Sequence, residues 1–306
     1  MYAYRLNGLR LASDIELPAL DAWDQAAFDA ADVVYRLDKV AQRLDCPDHV
    51  APIFQTRGVF QTKGVSEYLL SLPGTGRILS RGGTEVMFEP DARADITVLS
   101  AVLTGSIQAV LWHQRGLLPL HASGIVAGDG AVALCGHSSS GKSTLAAFLA
   151  RQGCAVAADD ICLVDSRAGG EISLLPGSGR LRLSRDALDG LGIATQGLRQ
   201  ALAGREQYFL DCRRLPPGPI KLAALLILSR RTGNRAAIER QRGPLLVEAL
   251  HKVVRMRRPA HALGRSPDIF AALMRLVTIP VWRLNIPEGP AGLHEAAANV
   301  LSVLDA

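Results

Sequence analysis

The chain has 306 residues, of which 48% are hydrophobic and 21% charged, so it can bury a large core and is not a disordered protein. Its net charge of +5 comes from 34 basic and 29 acidic residues that are interspersed, and only 5% of the residues are aromatic. The mild basic excess suits an anionic ligand, but nucleic-acid binding is not indicated, because no aromatic stacking module accompanies it.

The cysteines and the hydropathy of the chain together predict in which cellular compartment the protein is found. The five cysteines form no C-x-x-C pair, and three of them lie inside apolar runs, as expected for reduced, buried thiols. The opening MYAYRLNGLR lacks a signal-peptide pattern, and no stretch is expected to be long and apolar enough to span a bilayer. We therefore expect a cytoplasmic protein with no membrane partner.

Residues 1–95 predict an antiparallel, β-rich N-terminal domain. Short alternating runs separated by Gly-, Pro- and Asp-containing turns predict strands at 2–6, 9–11, 33–37, 59–62, 68–72 and 85–88. His49 is predicted to lie at the surface in a loop. Because no set of catalytic residue types converges here, we interpret this domain as a scaffold or a substrate-docking unit.

Apolar residues recur at helical spacing from 95 to 114, and Gly116 follows, so one amphipathic helix at 96–116 is predicted to link the first domain to a second at 117–306. After it, residues 117–127 lead through the hairpin signal Gly128-Asp129-Gly130 into an apolar strand at 131–135. His121 is thus predicted on a strand antiparallel to that one. It is either a hydrogen-bonded core residue or a group that faces the next motif.

That motif is a phosphate-binding loop. The strand at 131–135 stops at Gly136, G-H-S-S-S-G-K-S follows, and residues 144–150 look helical. In this context Lys142 reaches the β- and γ-phosphates of a nucleotide and Ser143 holds Mg²⁺, while backbone N–H groups surround the phosphates. The predicted nucleotide-binding residues are Gly136, His137, Ser138, Ser139, Ser140, Gly141, Lys142, Ser143 and Thr144. A Gly/Ser turn that contains a lysine by chance is the alternative.

Two acids follow the next apolar run. A short strand at 154–158 ends in Asp159 and Asp160, and ligands of parallel sheets bind at the carboxyl ends of strands. One acid can bind Mg²⁺ through oxygen, and the other can accept the proton of an attacking hydroxyl. A turn or a helix cap is the alternative. The later strand at 222–228 ends in Ser229-Arg230, which leaves Asp159 and Asp160 as the source of the carboxylates.

Arginines stand near this region in two places. Arg180 and Arg182 follow a flexible Pro-Gly-Ser-Gly turn, and either one can pair with phosphate or with Asp186 and Asp189. A second group lies between predicted helices at 245–256 and 269–276, and it forms a solvated face or a clamp on an acidic peptide or nucleotide. Its members are Arg255, Arg257, Arg258 and Arg265. A last strand at 279–284 and a helix at 293–304 complete the pattern.

Three of these segments together resemble a known family. The order His121-Ala-Ser123, then G-H-S-S-S-G-K-S at 136–143, then V-A-A-D-D at 156–160 is similar to the catalytic domain of HPr kinase/phosphorylase. The opening Y-R-L-N-G-L-R-L-A-S-D-I-E-L-P at 4–18 and the closing P-V-W-R-L at 280–284 resemble the HPr-kinase-related proteins found with lasso-peptide biosynthesis. Some of those proteins phosphorylate the C-terminal serine of a precursor peptide.

The resemblance implies an α/β P-loop kinase domain at 117–306, related to phosphoenolpyruvate carboxykinase, with ATP and Mg²⁺ as cofactors. It implies that His121 and Lys142 are catalytic, that Asp159 is the base toward the acceptor serine, and that Ser143 and Asp160 hold Mg²⁺. The family motif E-V-R-G-I-G has no counterpart, since residues 176–182 occupy that region without its glutamate. The reverse, phosphorylase activity is therefore not implied.

The sequence thus predicts a kinase that phosphorylates a serine hydroxyl of a peptide or small protein. Two alternatives use the same nucleotide residues: a kinase for a small-molecule alcohol, and a nucleotide-binding regulatory protein without catalysis. The paired acids argue against the last of these, because binding alone needs no base. The sequence leaves the oligomeric state open.

Overall fold

The structure is a computed structural model that describes residues 1–23, 30–53, 58–167, 170–213, 215–230, 235–243, 245–287 and 290–304. Within these ranges the chain forms two nine-stranded sheets and a two-stranded ribbon. Helices cover both sheets. The protein is therefore of mixed α/β class.

The first sheet has the strand order β3-β1-β2-β4-β9-β8-β7-β6-β5. Its strands are β1 Tyr2–Leu6, β2 Leu9–Ser13, β3 Asp21–Ala22, β4 Val33–Leu37, β5 His49–Pro52, β6 Val59–Lys63, β7 Glu67–Leu72, β8 Gly76–Arg81 and β9 Glu85–Pro90. The six predicted strands are present, but the sheet is mixed, because β4 pairs in parallel with both β2 and β9.

Three strands of this sheet escaped prediction, namely β3, β5 and β8. His49, predicted to lie in a loop, is exposed as expected but begins β5. Strand β8 starts at Gly76, at the end of a glycine turn, and its short apolar run gives little alternation. Gly76 is needed there, since a Cβ at this position would lie 2.2 Å from the carbonyl oxygen of Glu89.

One continuous helix packs on this sheet. It consists of α1 Ile96–Val102, a π-helical turn Leu103–Ile107 and α2 Gln108–Gln114. Asp95 caps its start by accepting the N–H of Thr97 at 2.8 Å. Its buried residues, among them Trp112, share one core with Tyr35 and Phe88 of the sheet. The predicted linking helix therefore also completes the core of the N-terminal domain.

The same helix corrects the prediction about membrane segments. Its length and composition suffice for a bilayer span, contrary to the expectation that no stretch would. However, 61% of its most apolar window is buried inside the protein, as in the core helix of a soluble protein. Its hydropathy is explained by packing on the sheet, and one such helix is weak evidence for a span.

Gln114 joins the end of this helix to the turns of the sheet. Its buried amide accepts hydrogen bonds from Ser80 Oγ at 2.7 Å and Gly83 N at 3.1 Å, and donates to the carbonyl of Ser66 at 2.8 Å. We expect Gln114→Ala to lower the free energy of unfolding by about 2–3 kcal/mol, because these buried groups lose their partners. Urea titration measures this, with the exposed Gln152→Ala as control; equal loss in both variants would contradict it.

The second sheet has the order β10-β14-β15-β18-β12-β11-β13, with β20 beside β18 and β19 beside β20. Its strands are β10 Leu118–Leu120, β11 Ala122–Ala127, β12 Gly130–Cys135, β13 Ala155–Ala158, β14 Cys162–Asp165, β15 Ser173–Leu175, β18 Ile220–Arg230, β19 Ala237–Arg240 and β20 Val281–Ile286. The separate ribbon consists of β16 Arg180–Ser184 and β17 Gln207–Asp211.

The strand directions bring the two sequence motifs to one edge. Strands β12, β18 and β20 are parallel neighbours, and β11 lies antiparallel between β12 and β13. Strands β12 and β13 therefore run in the same direction. Their carboxyl ends, which carry the glycine-rich loop and the two acids, lie at the same edge of the sheet with one strand between them.

Helices cover both faces of this sheet. They are α3 Lys142–Arg151, α4 Arg185–Gly190, α5 Leu245–Lys252, α6 Arg257–Ala262, α7 Ser266–Leu276 and α8 Pro290–Leu304. Helices α3 and α8 share one core with β12, and α5 and α7 share another on the opposite side. The helix predicted at 245–256 is wrong in its length, since the chain turns after Lys252 and Met256 has a left-handed φ of 53°.

The two domains are joined by hydrogen bonds and by a shared core. Asn7, at the β1–β2 turn, donates to the carbonyl of Leu175 at 2.8 Å and accepts from Gln108 at 3.3 Å. Thr62 donates to the carbonyl of Ala262 at 3.1 Å. Buried residues of the second domain also enter the N-terminal core, namely Ile161, Leu163 and Leu263.

Candidate active site

The glycine-rich loop connects β12 to α3, as its sequence predicts. Gly136 has a φ of 155°, and a Cβ there would lie 2.7 Å from Ser140 Oγ and 3.0 Å from the carbonyl oxygen of Leu228, so only glycine fits. Gly141, with a φ of 93°, precedes the first helical residue. The first N–H groups of an α-helix have no partners within the helix, so α3 directs them at the loop.

Lys142 turns back over this loop. Its ammonium donates to the carbonyls of Gly136 at 3.0 Å and His137 at 2.9 Å, and lies 3.2 Å from Nε2 of His121. Burial lowers the pKa of Lys142, although the nearby acids Asp159 and Asp160 oppose this effect. The side chain is therefore held inside the loop.

His121 lies in the site, but not on a strand as predicted. It occupies the bend between β10 and β11, where its N–H donates to the carbonyl of Val253 at 2.7 Å. Its Nδ1 lies 3.1 Å from Oδ1 of Asp160. Because the ammonium of Lys142 can only donate, Nε2 accepts from it and the ring proton sits on Nδ1. His121 thus connects Asp160 to Lys142.

Asp159 is the acid beside Ser143 of the glycine-rich loop. Its Oδ1 accepts hydrogen bonds from Ser143 Oγ at 2.9 Å and from Ser123 Oγ at 2.6 Å. Its Oδ2 accepts the backbone N–H of Arg182 at 3.0 Å. Three donors thus hold this carboxylate in one orientation.

Asp160 has different partners: its carboxylate lies beside nitrogens of His121, Arg182 and Arg255. Burial would raise its pKa, but hydrogen bonding to His121 and the charges of Arg255 and Arg182 outweigh this and hold the pKa well below its usual range. Because its pKa is lower in the folded protein than in the unfolded chain, ionised Asp160 stabilises the fold. This stabilisation is present at neutral pH and is lost as the pH falls below the usual pKa of an aspartate. Its left-handed φ of 66° turns the chain at this point.

The structure therefore divides the two acids differently from the sequence-based assignment. Ser143 and Asp160 were predicted to share Mg²⁺, but Asp159 is the acid within hydrogen-bond distance of Ser143. Asp160 instead pairs with His121, Arg182 and Arg255. Sequence order alone does not say which of the two acids contacts Ser143.

The residues present fit a phosphate and a magnesium ion. Within the described residues, the buried hydroxyl of Ser140 has no hydrogen-bond partner, and it lies in the loop against Gly136. A hydroxyl and a carboxylate, as at Ser143 and Asp159, are the hard oxygen ligands that Mg²⁺ prefers. No group of three or more His, Cys, Asp or Glu forms a separate metal site among these residues.

Ser123 lies within the segment that resembles the family motif, but the sequence does not indicate its role. Its hydroxyl is fully buried and bonds to Asp159. We expect Ser123→Ala to reduce kcat about tenfold with an unchanged KM for ATP, because Asp159 loses one of its orienting bonds. Steady-state kinetics with Ser123→Thr as the matched variant check this, since threonine restores the hydroxyl. An unchanged kcat in Ser123→Ala would contradict the role.

Arg255 is a site residue that the sequence placed only within a basic cluster. Its Nη2 lies 3.3 Å from Oδ2 of Asp160, while Arg182 Nη2 lies 3.6 Å from the same oxygen. Arg180 instead pairs with Asp211 at 2.5 Å. The alternative partners Asp186 and Asp189 are not used in these contacts.

The predicted basic cluster is thus divided. Arg265 pairs with Asp268 at 3.0 Å and donates to the carbonyl of Gln114 at 2.7 Å, so it closes the helix layer and does not enter the site. The turn between α5 and α6 carries Arg255 inward, since its N–H donates to the carbonyl of Pro119 at 2.9 Å. This backbone hydrogen bond to a distant strand places Arg255 in the site, whereas Arg265 of the same predicted cluster lies outside it.

Both acids line a cavity of about 120 Å³ between the two domains. The helix of the N-terminal domain contributes Thr97, Ser100 and Thr104, and Gly105 of its π-helical turn lies beside Asp160. Such turns often occur at functional sites. The two acids are therefore accessible from a cavity that residues of both domains line.

No protein-family model matches the chain, and none of the curated proteins compared with it is similar enough in sequence to count as a match. The resemblance to HPr kinase/phosphorylase therefore depends on the three sequence segments that carry it.

Proposed function

We propose that this protein is an ATP- and Mg²⁺-dependent kinase that phosphorylates a serine hydroxyl of a peptide or small protein in the cytoplasm. The observation that carries the proposal is the position of Asp159, which contacts the P-loop Ser143 and also lines the cavity between the domains. One carboxylate thus adjoins both the phosphate loop and a route for the acceptor. The proposed fold is that of a P-loop kinase of the HPr kinase type.

Each residue has a role that follows from its contacts. The loop from Gly136 to Thr144, with Lys142, would bind the nucleotide phosphates, and Ser143 and Asp159 would hold the metal. When bound, Mg²⁺ would neutralise charge on the phosphates. Lys142 adds a positive charge that His121 keeps in place. Asp159 accepts the proton of the acceptor hydroxyl, because the carboxylate of Asp160 is already paired with His121, Arg182 and Arg255.

Acceptor screening tests the proposal. The purified protein is incubated with ATP, Mg²⁺ and either a pool of serine-containing peptides or a pool of small-molecule alcohols, and mass spectrometry records a gain of one phosphate. ATP binding is measured separately. We expect phosphorylated peptides, and, by the lasso-peptide resemblance, a terminal serine among the preferred sites. Phosphate gain on a metabolite alone would favour the small-molecule kinase. ATP binding without any phosphorylated product would favour the regulatory protein.

A further inference from the structure

A second, larger cavity continues the one that contains the two acids. It has a volume of about 650 Å³, against about 120 Å³ for the first. The two cavities share four lining residues, Pro18, Arg180, Arg199 and Phe209. The shared residues make the two cavities neighbours, and together they are here called the acceptor groove, whose inner part is lined by Asp159.

The acceptor groove has one wall from each domain. Tyr2, Tyr4 and Trp23 line it from the edge of the first sheet, and Phe209 and Asp211 line it from the ribbon. The walls are linked by arginines. Arg199 forms two bonds with Glu16, at 2.6 and 2.9 Å, and Arg180 donates to the carbonyls of Pro18 and Leu20. The groove therefore exists only where both domains are assembled.

The chemistry of the outer part of the groove is neutral and aromatic. Its two arginines are paired with Glu16 and Asp211, so these four charges balance. Aromatic rings line this part as well: Tyr2 is 46% exposed and stacks on Tyr4, with ring centroids 6.4 Å apart. The guanidinium of Arg5 lies over the Trp23 ring at 4.6 Å, and that of Arg180 lies 5.8 Å from the centre of the Phe209 ring. Such a surface suits apolar and aromatic side chains and does not suit a highly charged metabolite.

We propose that the acceptor groove binds an extended peptide segment, with its serine in the inner cavity beside Asp159 and apolar or aromatic neighbours against Trp23 and Phe209. This inference depends on the proposed function for the transfer step, but peptide binding itself does not. A small alcohol would fill the inner cavity and leave the larger one unused. The edge of the N-terminal sheet, and not the P-loop domain alone, thus selects the acceptor.

The three tryptophans provide a direct measurement. Trp23 lines the groove, Trp112 is buried in the helix core, and Trp282 lies on β20 in the other sheet. The full-length protein is labelled with 5-fluorotryptophan, and a Trp23→Phe variant assigns the fluorine resonances. A pool of short synthetic peptides, each with one serine between randomised residues, is then titrated in the presence of ATP and Mg²⁺. We expect the Trp23 resonance to shift while those of Trp112 and Trp282 stay in place.

A matched pair of variants adds an affinity measurement. Phe209→Ala, in the groove, should weaken binding of the peptide pool about tenfold and leave ATP binding unchanged, as expected for loss of a central aromatic contact. Phe270→Ala removes a 59% exposed ring on α7, outside the groove, and should change neither. Equal peptide affinity in both variants would overturn the assignment of Phe209.

The outcomes separate this inference from the proposed function. Phosphorylated peptides without a shift of the Trp23 resonance would overturn the groove and sustain the kinase. A Trp23 shift without phosphorylation would sustain the groove as a peptide site and overturn the proposed transfer. The absence of both would overturn both.

Discussion

Lys142→Met is expected to lower the rate of phosphoryl transfer about a thousandfold, which corresponds to about 4 kcal/mol of transition-state stabilisation. The reason is that Lys142 is buried and fixed by the carbonyls of Gly136 and His137 and by His121. Its charge is therefore already in place when negative charge develops, with no reorganisation at the moment of transfer. Steady-state kinetics with ATP and a peptide that acceptor screening has identified as a substrate measure the loss.

The same substitution should leave the fold intact. Burial already lowers the pKa of Lys142, which means that the folded protein tolerates the ammonium at an energetic cost. A methionine of similar length fills the same space without that charge. The matched control is Lys221→Met, which replaces a side chain that is 62% exposed and pairs with Glu171. Wild-type turnover by Lys142→Met, or equal loss in the control, would contradict the role of Lys142.

Asp159→Asn should reduce transfer by a similar factor, about a thousandfold or more, because an amide cannot accept the proton of the acceptor and is a weak magnesium ligand. The amide keeps an oxygen for the hydroxyls of Ser123 and Ser143. Its nitrogen, however, would face the N–H of Arg182, so two donors would meet. We therefore expect a small loss of stability beside the large loss of rate.

Two measurements separate these effects. Nucleotide affinity of Asp159→Asn, measured with Mg²⁺ and without it, should differ less than in the wild type, because one metal ligand is lost. Asp129→Asn, in the exposed β11–β12 turn, is the control and should match the wild type in both rate and affinity. If Asp159→Asn phosphorylated its acceptor at the wild-type rate, neither the base nor the metal role would stand.

Asp160 has a different expected behaviour, although it adjoins Asp159 in the chain. Its carboxylate is paired with His121, Arg182 and Arg255, and these partners hold its pKa well below the usual range, so it stays ionised near neutral pH. It is therefore suited to hold cations in place, including the His121–Lys142 pair. The sequence marked both acids as functional, but its metal assignment for Asp160 is not supported by a contact with Ser143.

The sequence by itself determined the parts of this protein that depend on short stretches of chain. The strand, glycine-rich loop and helix at 131–150 follow from local periodicity and from glycines at positions of unusual backbone geometry. The acids at the end of β13 were placed at the correct edge for the same reason. Six strands of the first sheet and the long helix were also evident from periodicity.

Only the tertiary structure shows which residues that are distant in sequence contact each other. Arg255 reaches Asp160 across 95 positions, and Asn7 reaches Leu175 across 168. Periodicity carries no information about such pairings, because they result from the packing of whole sheets and helices. The bend that holds His121, the acid that faces Ser143 and the groove between the domains all depend on that packing. Residue types therefore indicated phosphate chemistry, while the fold determined which side chains share the site and where an acceptor can enter.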